Sequence, residues 1–176
     1  MPSSPVRLLL IADTHVPRRA RALPAQVWRA VEQADVVLHA GDWQVAELLD
    51  EMQARARRLI GVWGNNDDEL RRRLPETTVV EIDGVRIALT HETGAAGGRE
   101  KRMAAMFPDA HALVFGHSHI PWDSVAGEDT ANPGLRLLNP GSPTDRRRQP
   151  SCTMMTAEVR DGRLDGVRLV TVDRTP

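Results

Sequence analysis

The sequence predicts a mixed α/β fold in which two packed layers of strands are flanked by helices. Three observations lead there. Apolar runs and helical stretches alternate as β-α-β-α-β between Val6 and Trp63, the rhythm of a parallel core joined by right-handed crossovers. Two Asp-Gly pairs, Asp83-Gly84 and Asp161-Gly162, each lie between apolar runs, the pattern of antiparallel hairpins. A chain of 176 residues can bury roughly 70% of its unfolded surface, so one domain over residues 1–176 with an ordinary core is expected.

The elements follow in order. Val6 to Ala12 reads as a buried strand, broken only by Arg7. Leu23 to Ala34 puts Val27, Ala30, Val31 and Ala34 on one helical face. Val36 to Ala40 is a second strand, Val45 to Ala56 a second helix, and Leu59 to Trp63 a third strand closed by Gly64. Thr78 to Ile82 and Val85 to Thr90 form the first hairpin. Gly97 to Met106 is expected to be helical, Ala112 to Phe115 a buried strand, Val125 to Pro133 a surface loop and Arg136 to Asn139 a short strand. Cys152 to Val159 and Leu164 to Val172 form the second hairpin. There is no internal repeat and no low-complexity linker.

Composition removes several function classes. Net charge is −1, which gives no global field for nucleic acid or membrane. The chain has no tyrosine and two phenylalanines, a poor supply of base-stacking platforms, so long nucleic acid is not expected as a partner. No stretch reaches the ~20 apolar residues of a membrane span, and the run Leu8 to Ala12 is too short for a signal-peptide core. One cysteine, Cys152, excludes an internal disulfide framework and fits a reducing compartment, so the cytoplasm is the expected location. Of 23 basic residues only Lys101 is a lysine; arginine suits bidentate phosphate contacts. Whether the chain is a homo-oligomer stays open.

Chemistry gathers at the strand ends. Asp13-Thr14-His15, Gly41-Asp42, Gly64-Asn65-Asn66-Asp67, the lone His91 and Gly116-His117-Ser118-His119 each follow an apolar run. Spacing of two residues in Asp13/His15 and in His117/His119 is expected to put each pair on one side of an extended chain. Glycines 41 and 64 let the backbone turn so that Asp42 and Asn65 face the sheet end. Two Asp, one Asn and four His supply the oxygen and imidazole ligands that suit divalent first-row metals, at the strand ends where open α/β sheets carry their sites. His39 and His111 are expected to pack or make hydrogen bonds, with no part in metal binding. Trp43, Trp63 and Trp122 lie beside the motifs. Arg146, Arg147 and Arg148, and Arg18 and Arg19, could hold a substrate phosphate.

In this order, Asp-x-His, Gly-Asp, Gly-Asn-x-Asp, His and Gly-His-x-His resemble the calcineurin-like metallophosphoesterase superfamily. The short length and Asn139-Pro140-Gly141-Ser142 resemble its small bacterial and archaeal phosphodiesterase branch, over about Val6 to Arg147. The resemblance implies a two-sheet β-sandwich flanked by helices and two divalent ions per chain, of manganese, iron, zinc or nickel. One ion would be held by Asp13, His15, Asp42 and His119, the other by Asp42, Asn65, His91 and His117, with Asp42 bridging. Asp42, Asn65 and His91 would be the catalytic residues among these. Asn66 and Arg147 would contact the substrate phosphate, and a hydroxide shared by the ions would attack phosphorus. The implied activity is hydrolysis of a small phosphodiester. A phosphomonoesterase, a nuclease, or a scaffold subunit like a eukaryotic retromer relative are the alternatives. Two positions depart from the pattern. Asn66 stands where larger relatives carry a histidine that assists the leaving group. Glu92 follows His91 where the small branch usually has glycine, and as an outer partner of a ligand histidine it would fit.

Overall fold

The computed structural model describes residues 4–173. Strand β1 (Val6–Ile11) leads into α1 (Ala25–Gln33), β2 (Val36–His39), α2 (Ala46–Arg55) and β3 (Leu59–Gly61). After a 3-10 turn at Asp68–Arg72 come β4 (Thr77–Ile82), β5 (Val85–Thr90), α3 (Arg99–Met106), β6 (Ala112–Val114), β7 (Trp122–Val125), β8 (Arg136–Asn139), β9 (Cys152–Arg160) and β10 (Arg163–Val172).

They form two five-stranded sheets, ordered β10-β9-β1-β2-β3 and β4-β5-β6-β8-β7. The centre of each is parallel: β1 with β2 and β2 with β3 in the first, β5 with β6 and β6 with β8 in the second. Antiparallel strands complete the edges.

Strand alternation sets the layers. On β1, Leu8 and Leu10 point into a core shared with Ile87, Leu89, Val114 and Leu138 of the second sheet. Leu9 and Ile11 point the other way, against Val27 and Val31 of α1 and Leu49 and Met52 of α2. On the outside of the second sheet, Ala88 and Leu113 pack under Met103 and Ala104 of α3. The expected sandwich between helices is therefore present.

The differences from expectation are local. Helix α1 begins after Pro24, and Ala34 has already turned extended, which trims both ends. Trp122–Val125 is a strand that the sequence left unassigned, and it takes in Val125, the first residue of the expected surface loop: it pairs antiparallel with β8, and Asp123 takes the guanidinium of Arg136 across the pair. Its residues alternate between half-buried and exposed, so this edge strand lacks an apolar run. No helix among the described residues is long and apolar enough to cross a membrane.

Candidate metal centre

The C-terminal ends of β1, β2, β3, β5, β6 and β8 converge, and their following loops are tied together by hydrogen bonds. The Asp13 N–H donates to the Gly41 carbonyl (2.9 Å), the His15 N–H to the Asp42 carbonyl (3.0 Å) and the Gly116 N–H to the His91 carbonyl (3.0 Å). The Ser142 hydroxyl donates to the Asp13 carbonyl at 2.7 Å, which gives the Asn-Pro-Gly-Ser turn a supporting role under the first loop.

The side chains are not aimed by strand alternation. β1 stops at Ile11 and β6 at Val114, and Asp13, His15, His117 and His119 all lie beyond, in the left-handed region with φ of 55°, 44°, 70° and 60°. Among the described non-glycine residues with positive φ, Asp83 and Asp161 serve the hairpin turns; the others are these four, Asp42, Gln44 and Arg147. Such backbone is costly away from glycine and persists where surrounding contacts hold it, commonly at functional sites.

All seven expected ligand residues come together. His15 Nε2 lies 3.1 Å from His119 Nε2, 3.4 Å from Asp42 Oδ2 and 3.8 Å from Asp13 Oδ1; His119 Nε2 is 3.5 Å from Asp13 Oδ1. Next to this group, Asn65 Oδ1 is 3.0 Å from His91 Nε2 and 3.1 Å from His117 Nδ1, while His91 Nε2 is 3.5 Å from Asp42 Oδ1. Asp13, His15 and His119, and likewise Asp13, Asp42 and His91, could each hold an ion. Donor atoms about 3–4 Å apart are what ligands sitting ~2.0–2.2 Å from a common cation present.

Outer contacts aim the imidazoles. His91 Nδ1–H donates to the Ala40 carbonyl (2.8 Å) and His119 Nδ1–H to the Asp145 carbonyl (2.7 Å). With Nδ1–H committed to a carbonyl, each ring has only Nε2 left to offer the centre, and in the neutral, one-proton form that nitrogen is the ligand atom, the arrangement of metal-ligating histidines. The Gln44 amide approaches His15 Nδ1 at 2.8 Å, and Gln44 Oε1 is buried without a partner; a half-turn of this amide lets Oε1 accept from Nδ1–H and frees His15 Nε2 in the same way. Glu92 Oε1 stands 3.9 Å from His117 Nε2.

Burial and close contacts set the charges of the centre. Asp13 Oδ2 is buried with no hydrogen-bond partner, and burial, reinforced by Asp42, pushes this carboxyl up to about 7. Burial lowers His15 and takes His119 down to about 4. Burial also opposes charge on Asp42 and His91. Their contact outweighs it, holding Asp42 well below the usual carboxylate range with help from Asn66 and raising His91 to about 9 with help from Asp13. An unsatisfied buried Asp13 oxygen beside the neutral imidazoles of His15 and His119 fits a divalent ion in chemistry as well as spacing, and the proton that His91 directs at Asp42 stands where a second cation would replace it.

The other singled-out residues divide. His39 is buried: its Nδ1 accepts from the Gly41 N–H (3.2 Å), its Nε2 faces Thr14 Oγ1 (3.0 Å), and its ring stacks on Trp43 at 3.5 Å. His111 Nδ1 accepts from the Arg86 N–H at 2.9 Å, away from the centre. Trp43 is fully buried and Trp122 packs on Arg99, whereas Trp63 lines a small recess with Asn65, His91 and Glu92. Asn66 donates to both oxygens of Asp42, through its backbone N–H (3.0 Å) and Nδ2 (2.7 Å). Arg147 and Arg18 line an open pocket beside His15. Sequence reading missed Gln44 and the scaffold role of Asp67. The buried Asp67 carboxylate accepts from the N–H groups of Asp42 (2.8 Å), Gln44 (2.7 Å) and Gly64 (2.7 Å). A carboxylate three residues after a glycine in a turn was the available signal.

Comparison with known proteins agrees with this geometry. Residues 6–162 match the calcineurin-like phosphoesterase superfamily domain, and the chain belongs to that superfamily. It is 33% identical over 163 residues to a probable metallophosphoesterase of Methanothermobacter thermautotrophicus, covering 91% of this chain and 87% of that one. A probable metallophosphoesterase of Methanocaldococcus jannaschii is 32% identical over 155 residues, 86% and 75% of the two chains. Among solved structures, a Thermotoga maritima protein superposes with a TM-score of 0.73 at 29% identity, over 94% of this chain and 99% of that one. Zinc-complexed Vps29 of Entamoeba histolytica superposes with a TM-score of 0.73 at 27% identity, over 95% and 98%.

Proposed function

We propose that the protein is a two-metal phosphodiesterase. One ion is held by Asp13, His15, Asp42 and His119, the other by Asp42, Asn65, His91 and His117. The observation that carries this reading is the two-sided placement of Asp42, whose Oδ2 faces His15 Nε2 (3.4 Å) and whose Oδ1 faces His91 Nε2 (3.5 Å). When bound, such ions make hydroxide available near neutral pH and offset charge on the phosphoryl oxygens.

The chain's own residues do the positioning. Asn66 grips both oxygens of Asp42, and Asp67 clamps the loops after β2 and β3 to each other. The carbonyls of Ala40 and Asp145 set the tautomers of His91 and His119. In the reaction a water-derived oxygen bonds to phosphorus, one ester P–O bond breaks, and the departing oxygen takes a proton. One domain in the cytoplasm, acting on a small phosphorylated substrate, completes the reading.

A panel of metals (manganese, iron, zinc, nickel) against an aryl diester, an aryl monoester and an oligonucleotide, on chelator-stripped protein, tests this. Metal-restored hydrolysis of the diester is expected. Hydrolysis of the monoester alone would make it a phosphomonoesterase, and no hydrolysis with any metal would favour a scaffold. Metal retention cannot separate these readings, because the Vps29 relative binds zinc.

The leaving group offers a finer test. No imidazole stands at Asn66, and Asp67 is committed to three backbone N–H groups. General-acid help is typically worth about 10²–10⁴-fold, so aryl diesters are expected to be favoured over alkyl diesters, and Asn66→His to narrow that gap. A flat dependence of kcat/KM on leaving-group pKa, unchanged by the added histidine, would contradict it.

His39→Gln is expected to leave metal content intact and reduce stability by about 1–3 kcal/mol, the loss of buried hydrogen bonds. His111→Gln, on an exposed side chain, should cost less. Elemental analysis and urea unfolding check both; loss of metal from a folded His39 variant would mean that a ligand has been misassigned.

A further inference from the structure

We infer that the arginine-lined pocket beside His15 is a subsite for a second phosphate group on the substrate, an inference that rests on the phosphoesterase reading and specifies its substrate class. The pocket encloses about 530 Å³ and opens directly onto His15. Three guanidinium groups, Arg18, Arg19 and Arg147, line it against one carboxylate, Asp145. Asp145 is engaged by Arg19 at 3.4 Å. The Arg18 side chain has no hydrogen bond or ion pair among the described residues, and the Arg147 side chain has only a long 3.4 Å contact from Nη1 to the His117 carbonyl. Two cationic groups in the pocket wall therefore lack an internal anion.

Arg147 is also held in place at some cost. Its φ is 48°, and its N–H donates to Asp145 Oδ1 at 3.2 Å. A non-glycine residue kept in left-handed backbone beside a candidate site is the kind of outlier that points to function.

The opposite flank has the other sign. The recess at Asn65 and His91 holds about 80 Å³ and is walled by Glu76 and Glu92. A substrate whose reacting phosphate lies over the cluster thus meets arginines on the His15 side and carboxylates on the His91 side. That polarity selects a substrate with one further anionic group, carried toward the arginines. The arginine pocket has no aromatic wall besides the His15 imidazole, so base stacking contributes nothing there. Guanidinium groups recognise phosphate through paired, charge-assisted hydrogen bonds.

Equilibrium binding to the manganese-loaded protein tests this with two probes, propane-1,3-diyl bisphosphate and propyl phosphate, at fixed free metal. The bisphosphate is expected to bind at least about tenfold more tightly, the scale of one added charge-assisted contact. Arg18→Gln and Arg147→Gln should each narrow that ratio by several-fold; both positions are exposed, so folding is not at stake. Equal affinity of the two probes in the unmodified protein, or a ratio that survives both substitutions, overturns the subsite. Because the readout is binding, a protein that prefers the bisphosphate yet hydrolyses no diester loses the diesterase reading and keeps the subsite.

Discussion

Asp42→Ala is expected to empty both ion positions together and to lower phosphoester hydrolysis by more than about 100-fold. Loss of an outer partner to a ligand already costs about 10–100-fold in metal affinity or activity, and a carboxylate shared between two ions should exceed that. The geometry gives the reason: each oxygen of Asp42 faces a different histidine, and both accept hydrogen bonds from Asn66. His119→Ala is the contrast. Of the two ligand groups His119 reaches the one around Asp13 and His15, so its loss should weaken one ion and largely spare the other. Elemental analysis after dialysis, with melting in excess chelator to confirm folding, reads the difference. An Asp42→Ala protein that folds, keeps two tightly held ions and retains full activity would sink the bridging assignment.

That prediction leans on residues legible in the sequence, and the reason they were legible is physical. Asp13, Asp42, Asn65, His91, His117 and His119 each follow a short apolar run, and apolar runs of that length mark buried strands whose ends open onto a shared edge. The layers were readable for the same reason: Leu8 and Leu10 serve one core and Leu9 and Ile11 another, which a run apolar at every position announces. What stayed hidden depended on conformation or on long-range partners. The Asp-x-His and His-x-His spacings suggested strand alternation, yet left-handed backbone aims these side chains, and no pattern of residue types distinguishes the two. Strand β7 was unreadable because it is a four-residue edge strand without an apolar run, paired to β8 through its backbone and tied across the pair by Asp123 and Arg136. Gln44 and Asp67 looked like ordinary turn residues, and only the approach of the β2 and β3 loops shows what they hold.

The approach of those two loops yields the other large expected effect. Gly64→Ala should abolish tight metal binding without adding or removing a polar group. A methyl built on Gly64 would overlap the Asp42 backbone nitrogen and Oδ1 and come within 2.9 Å of Asp42 Cγ. Because the overlap includes backbone, rotating a side chain cannot relieve it, and the Asp42 loop must move away from the Gly64–Asp67 turn. That movement stretches the hydrogen bonds to Asp67 from Asp42 and Gly64 and displaces the carboxylate placed between the two groups of ligands. Overpacking of this kind costs about 1–3 kcal/mol in stability. The larger effect should appear on metal addition, since a ligand that binds only the folded state stabilises it by RT ln(1 + [L]/Kd). The unmodified protein is expected to gain several degrees of Tm with manganese, and Gly64→Ala little or none. Gly97→Ala is the matched control, because a methyl there meets nothing within 4 Å, and it should keep the full metal-dependent gain. If Gly64→Ala binds manganese and gains Tm as the unmodified protein does, the contact between the two loops does not set the position of Asp42.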